Sequence, residues 1–319
     1  IVKEVRDKYS PSTTIRVAGG WVRDKLLCKT TSHDIDFVLN DISGSEFARL
    51  FHRHVSNSEK VTEQSAAKRS KHLQTASLQY RDFCIDFCHL RFEKYSPDSR
   101  VPEKTNKASP VEDAWRRDLT INSLFYNINT NQVEDWTEQG LQDLQLGMIA
   151  TPAVMPLATL LEDPLRILRA IRFAAQLSFS METSLKKAAM DSRVRQALQL
   201  KVSRDRIGNE IDLMFQTRDP CRGIQFLLET NLIDAVFIFE KSWNAEMMPS
   251  PLDVYEAGFG LLTRTQALAS RIFVEASQWD ESRRRYLWYS AFLKPCCDMS
   301  PSINSRGGKK SRRNGSILY

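Results

Sequence analysis

The sequence predicts an α+β head followed by an all-α part, and three observations carry this. Short apolar runs that alternate with polar residues occur only in about the first 150 residues. Pro152 and Pro156 then punctuate the chain. From Thr151 onward apolar residues recur with helical spacing and leave no strand signal.

Size and composition allow this layout. The 319 residues suffice for two domains with their own cores. Hydrophobic residues make up 42% and charged residues 26%, the profile of a globular protein. The net charge of +6, with a pI near 9.0, favours an anionic partner such as nucleic acid. No run approaches the roughly 20 apolar residues that span a bilayer. The six cysteines, at 28, 84, 88, 221, 296 and 297, form no CxxC pair and no disulfide framework, which points to a reducing compartment. Cys84, Cys88 and His89 suggest zinc at first sight. On a strand, though, the two thiols stand about 13 Å apart, beyond one ion's reach. The chain starts at Ile1 rather than Met, so any targeting segment could simply be missing from it.

In the head, residues 15–19 read as a strand, Gly19-Gly20 as a turn and Trp21 to Cys28 as a short helix. A strand at 35–39 and a helix from Ser45 to about His54 follow. Residues 56–71, rich in Ser and Lys, read as a loop. Strands return near 73–79 and 82–88, where Phe83, Ile85 and Phe87 should be buried and Asp86 turned to the other face. Residues 92–111 carry three prolines and few apolar groups and read as a loop beside the site. Val111 to Phe125 reads as a helix, and Asn127 to Asp135 as a hairpin turning at Asn129 and Asn131. Gly140 to Gly147 is a short amphipathic segment. The helical part is expected at 157–178, 181–191, 193–200, 203–216, 221–230, 252–263, 265–277 and 280–293. Residues 296–319 end in a basic, low-complexity tail expected to be disordered.

The chemistry concentrates in three places. Asp34 and Asp36 are two apart on the strand, so their side chains project from one face. Adjacent carboxylates repel unless a cation joins them. Mg²⁺ is suited, because it takes one or two carboxylates plus phosphate oxygens. Asp86 is a candidate third acid. Just upstream, Gly19 and Gly20 let backbone amides approach phosphate at a helix start. Arg23 could grip a phosphate bidentately or pair with Asp24. Further on, Arg116, Arg117, Asp118 and Asn122 place charge and an amide along one helix, with arginine for phosphate and Asp118 for a ribose hydroxyl.

The third place opens the helical part. Asp163 and Arg166 are three apart and share a helix face. Arg166, Arg169 and Arg172 form a slowly turning basic ridge, on its simplest reading a solvated one. An aspartate offers only acceptors and an arginine only donors. Side by side they match an amino group beside an unprotonated ring nitrogen, the pattern of cytosine and adenine. Uracil and guanine present the reverse and leave polar groups unpaired.

Together these motifs resemble the class II tRNA nucleotidyltransferases, the CCA-adding enzymes, of the eukaryotic type. Gly19–Asp24 with Asp34–Asp36 resembles their motif A. Residues 116–122 resemble motif B, 162–166 motif D, and 202–210 motif E. The likeness runs from about Ile15 to about Phe215 and then fades. Cys88-His89, Glu138-Gln139 and Ala150 depart from the family's usual residues. The resemblance implies a nucleotidyltransferase head of the DNA polymerase beta superfamily over 1–150. It implies a nucleotide-selecting helical neck over 151–220 and a partial helical body over 221–295. It further implies addition of C, C and A to tRNA 3′ ends from CTP and ATP. Asp34 and Asp36 would hold Mg²⁺, and Asp163 and Arg166 would read the base. A poly(A) polymerase of the same class and a truncated, non-catalytic RNA-binding relative are the alternatives. The expected compartment is the mitochondrion, cytoplasm or nucleus.

Overall fold

The computed structural model describes residues 1–29, 33–58, 68–70, 75–96, 99–238, 249–272 and 280–298. They fall into two compact units, Ile1–Met155 and Pro156–Tyr319.

The first unit runs α1 (Val2–Tyr9), β1 (Ile15–Ala18), α2 (Gly20–Leu26), β2 (Asp34–Leu39), α3 (Gly44–Ser58), β3 (Lys68–Ser70), β4 (Thr75–Tyr80) and β5 (Phe83–His89). It continues with β6 (Arg91–Ser96), β7 (Ser99–Lys107), α4 (Pro110–Trp115), a 3₁₀ turn at Thr120–Asn122, β8 (Phe125–Asn127), β9 (Gln132–Glu134), α5 (Gly140–Leu146) and β10 (Met148–Ile149). Seven strands form one sheet in the order β3-β4-β5-β2-β1-β8-β9. The β2–β5 pair is parallel and its neighbours are antiparallel, so the sheet is mixed.

The two sheet faces differ. On one, Phe37 stacks on Phe87 at 5.3 Å, and Phe47 and Phe51 of α3 reach Phe87 at 5.1 and 5.7 Å. Burying such aromatic bodies contributes about 2–3 kcal/mol each, which fixes α3 on this face. The other face carries Ala18, Val38, Phe125 and, from α4, Ala114 in one buried cluster. Asp34 and Asp36 share this second face with Val38 by period 2, but at its exposed end.

Several sequence expectations change here. Within 92–111, residues 92–96 and 99–107 are strand rather than loop: β6 and β7 pair antiparallel, α4 starts at Pro110, and residues 97 and 98 lie outside the described residues. Backbone pairing builds this pair of strands, and backbone pairing leaves no apolar period to read. Within 56–71, α3 continues to Ser58 and Lys68–Ser70 is a strand, while residues 59–67 and 71 lie outside the described residues. The expected 111–125 helix stops at Trp115; a 3₁₀ turn and β8 take the rest. Phe83 is exposed, because it sits at the first residue of β5 beyond the cover of α3.

The second unit comprises α6 (Pro156–Glu162), α7 (Leu165–Leu177), β11 (Ser180–Met181), α8 (Thr183–Ala189), α9 (Ser192–Lys201), α10 (Arg204–Phe215), α11 (Pro220–Glu229), α12 (Ile233–Val236), α13 (Pro251–Ile272) and α14 (Glu281–Asp298). The single helix expected over 157–178 is broken at Asp163-Pro164, since a proline lacks the amide and disfavours helix in the residue before it. The helices expected at 252–263 and 265–277 are one helix as far as Ile272; 273–277 lie outside the described residues. Two-residue β11 and four-residue α12 carried no periodic signal. Of the expected tail, residues 296–298 continue α14, and 299–319 lie outside the described residues.

Ten of the 13 residues of α7 are buried, which makes it the central helix, with α10 and α11 against it. Phe215, Phe237, Tyr255 and Phe292 join α10, α12, α13 and α14 in an aromatic core. At Gly258 of α13, a Cβ would lie 2.2 Å from the Phe292 carbonyl oxygen of α14. Gly258→Ala therefore forces the helices apart and is expected to lower stability by about 2 kcal/mol. A urea midpoint equal to wild type would contradict this close approach.

Candidate active site

The strand register assembles the acids. Asp36 lies directly opposite Asp86 across the parallel β2–β5 pair, and Asp34 opposite Cys84. Opposed residues share a face, so Asp34, Asp36, Asp86 and Cys84 project together. Burial, and then the charges of Asp86, Asp34 and Asp36, push the Cys84 thiol up from its ordinary value. Oδ1 of Asp86 is buried and has no hydrogen-bond partner. An orphaned carboxylate oxygen beside two exposed carboxylates suits a hard divalent cation. Among the described residues, no three His, Cys, Asp or Glu side chains converge enough to hold a metal by themselves. Water and phosphate oxygens would complete the shell of a Mg²⁺ held by one or two of these acids.

The glycine turn lies against this group. Ala18 of β1 is opposite Asp36, so the chain leaves β1 beside the acids. Gly19 has φ +73°, a left-handed conformation, and a Cβ there would stand 3.3 Å from Nη1 of Arg117. The Gly19 N–H donates to the Leu124 carbonyl at 3.1 Å, so this amide serves the fold rather than a phosphate. Gly20 begins α2. Arg23 is only 4% exposed. Its Nε donates to Asp24 at 2.9 Å and its Nη1 to Oδ1 of Asn122 at 2.6 Å. Asn122 in turn donates to Asp118 at 3.2 Å, and Asp118 accepts the Leu119 N–H at 2.9 Å. Arg23, expected at phosphate or on Asp24, is thus a buried brace between α2 and the 3₁₀ turn.

Arg116 and Arg117 follow the end of α4 rather than lying within a helix. Both donate to Asp113, which is fully buried. Arg116 uses Nε at 2.8 Å, and Arg117 uses Nε at 3.1 Å and Nη2 at 2.7 Å. Burial pushes the Asp113 carboxyl up, but Arg117 and Arg116 more than offset this and hold it below its usual range. Burial likewise pushes Arg117 down, while Asp113, and beyond it Cys88 and Asp36, raise it above its usual value. Its guanidinium also lies 4.9 Å over the Phe125 ring, opposite Ala18 in the sheet. Asp113 was not singled out from the sequence. An acid three and four residues ahead of two arginines was the available signal.

In the second unit, Asp163 sits in the break before α7. Its Oδ1 accepts the Leu165 N–H at 3.2 Å, and its Oδ2 is 3.4 Å from Arg206 of α10. The Arg166 N–H donates to the Asp163 carbonyl at 3.0 Å, so both residues share the first turn. Two of the three ridge arginines are not solvated: Arg166 and Arg172 are each 8% exposed, while Arg169 is half-buried. Arg172 donates to buried Glu210 at 2.6 Å and Arg169 reaches it at 3.3 Å. Arg172 also stacks on Phe173 at 4.1 Å. Arg206 and Glu210 of α10 thereby brace the start and middle of α7. Neither was given a role from the sequence, because their partners lie on another helix.

Comparison with known proteins bears on the family and the fold. Residues 15–150 match the poly(A) polymerase head domain family. A tRNA nucleotidyltransferase, cca2, of Schizosaccharomyces pombe is 37% identical over 313 residues, covering 95% of this chain and 63% of that protein. The mitochondrial CCA tRNA nucleotidyltransferase of Candida glabrata is 40% identical over 255 residues, 76% of this chain and 48% of that protein. The chain belongs to the tRNA nucleotidyltransferase/poly(A) polymerase family. It spans about half to two thirds of the length of these curated relatives. A tRNA nucleotidyltransferase solved with a primer tRNA and an incoming ATP analog superposes with a TM-score of 0.66, at 24% identity, over 92% of this chain and 75% of that one. A tRNA-processing enzyme with CTP gives 0.68 at 22%, over 92% of this chain and 70% of that one. The fold is therefore a nucleotidyltransferase head with a mixed sheet, followed by a helical region. Enzymes of this family generally use a divalent metal.

Proposed function

We propose that this chain adds C, C and A to the 3′ end of tRNA by template-free nucleotidyl transfer from CTP and ATP, with Mg²⁺ as the metal. The observation that carries the reading is the register of Asp36 against Asp86, with Asp34 on the same face. Asp34 and Asp36 are the ligands we assign to Mg²⁺, and Asp86 the third acid. A divalent cation bound there supplies the positive charge that favours both the attacking 3′-oxygen and the leaving pyrophosphate.

The remaining residues bind and orient. Arg116 and Arg117 take the triphosphate, and the Asp36 carboxylate contributes to holding the Arg117 guanidinium above its usual value. Asp118 and Asn122 face the ribose, with Arg23 and Asp24 holding them in place. Gly19 and Gly20 keep the turn free of side chains. Asp163 and Arg166 read the incoming base by their acceptor–donor order. Arg169 and Arg172, tied to Glu210, keep α7 in position for that reading. We assign the neck to 151–220 and a partial body to 221–295. Such a substrate fits the mitochondrion, cytoplasm or nucleus, and the Candida glabrata relative is named mitochondrial.

Incubation with Mg²⁺, labelled CTP and tRNA lacking its CCA end tests the reading. Incorporation of CMP without ATP is expected. Use of ATP alone, in long tracts, would instead mark a poly(A) polymerase, and no incorporation of either a non-catalytic relative.

A further inference from the structure

Asp113 is as buried as any residue in the first unit, yet it is charged and touches no proposed ligand. Its two oxygens are divided between two arginines. Oδ1 takes Nε and Nη2 of Arg116, and Oδ2 takes Nε and Nη2 of Arg117. Each guanidinium is thus fixed along one edge. For Arg117 the fixed edge turns Nη1 toward the glycine turn, 3.5 Å from the Asn122 carbonyl and 3.3 Å from where a Gly19 side chain would begin. Without the carboxylate, two adjacent guanidiniums repel and each regains its rotamers. The base of the clamp is rigid. Ser109 and Glu112 close a capping box at the start of α4, so Asp113 enters at a set angle.

We infer that Asp113 is a positioning residue: it aims Arg116 and Arg117 at the nucleotide triphosphate and lets two like charges stand together. One carboxylate against two guanidiniums leaves the group a net positive charge for an anionic ligand. This inference rests on the proposed nucleotidyl-transfer reading.

The test is a double-substitution cycle read as KM against kcat for CTP. Asp113→Asn keeps the shape and removes the charge. It is expected to raise the CTP KM about tenfold, the loss of one charge-assisted hydrogen-bond set, with kcat and the CTP-over-UTP ratio little changed. In an Arg116→Gln/Arg117→Gln background the same substitution should add less than about threefold, because its effect runs through those two arginines. A structural role alone would lower the active fraction and kcat at constant KM, or multiply with the double arginine substitution. Either result overturns the inference. If Asp113→Asn does not fold, Asp113→Glu enters the same cycle, since it keeps the charge but displaces both guanidiniums. If the wild-type chain turns over neither CTP nor ATP, the functional reading fails by itself. CTP dissociation constants then replace KM in the cycle, with the same tenfold loss expected.

Discussion

Asp36→Ala is expected to lower CMP incorporation about 10³-fold or more while leaving the fold intact. The magnitude follows from several kcal/mol of charge stabilisation that a metal held there supplies, at 1.36 kcal/mol per tenfold. The intact fold follows from exposure: Asp34 and Asp36 are exposed at the open end of β2, whereas Phe37, Val38 and Leu39 carry its burial. Removing an exposed carboxylate creates no cavity. Asp34→Ala should behave alike. CTP binding should survive in part, because Arg116 and Arg117 are untouched. Single-turnover incorporation alongside a thermal melt separates these effects. Near wild-type incorporation by Asp36→Ala would sink the assignment of the carboxylates.

The second large effect concerns choice of base. Asp163→Ala is expected to narrow the preference for CTP over UTP by about 10²-fold or more. A site that pairs a specific amino group rejects its analogue by unpaired polar groups, and that penalty disappears with the carboxylate. The geometry adds a condition. Asp163 caps the Leu165 amide and lies 3.4 Å from Arg206, so Asp163→Ala also loosens the first turn of α7. Arg206→Ala, which spares the carboxylate, should therefore cost less selectivity than Asp163→Ala. Competition between labelled CTP and UTP measures both. An unchanged ratio in Asp163→Ala would refute base reading by this residue.

What was legible in the sequence divides by range. Asp34 and Asp36 announced themselves because period 2 on a strand is local, and their apolar neighbours reported the buried side. Asp86 was found by the same alternation, although its place opposite Asp36 is a matter of register that spacing does not encode. The end of α4 was not legible. Arg116, Arg117 and Asp118 fit a continuing helix by pattern. The chain instead turns, held by Asn122, Arg23 and the Gly19–Leu124 hydrogen bond, all long-range partners. The break at Pro164 was readable from the proline itself but was hidden by strong apolar periodicity on both sides. Arg169 and Arg172 read as solvated because nothing local marks Glu210, about 40 residues away on α10, as their shared partner.

In the proposed function the carboxylates of β2 and β5 serve nucleotidyl transfer while Asp163 and Arg166 choose the nucleotide. Incubating the chain with Mg²⁺, all four nucleoside triphosphates and a tRNA ending before CCA, then sequencing the product 3′ ends, measures both at once. Added C and A alone are expected, in the order C, C, A, with the same chain carrying Asp36→Ala returning unextended tRNA. Ends bearing U or G, runs of A, or extension by Asp36→Ala would contradict the proposed function.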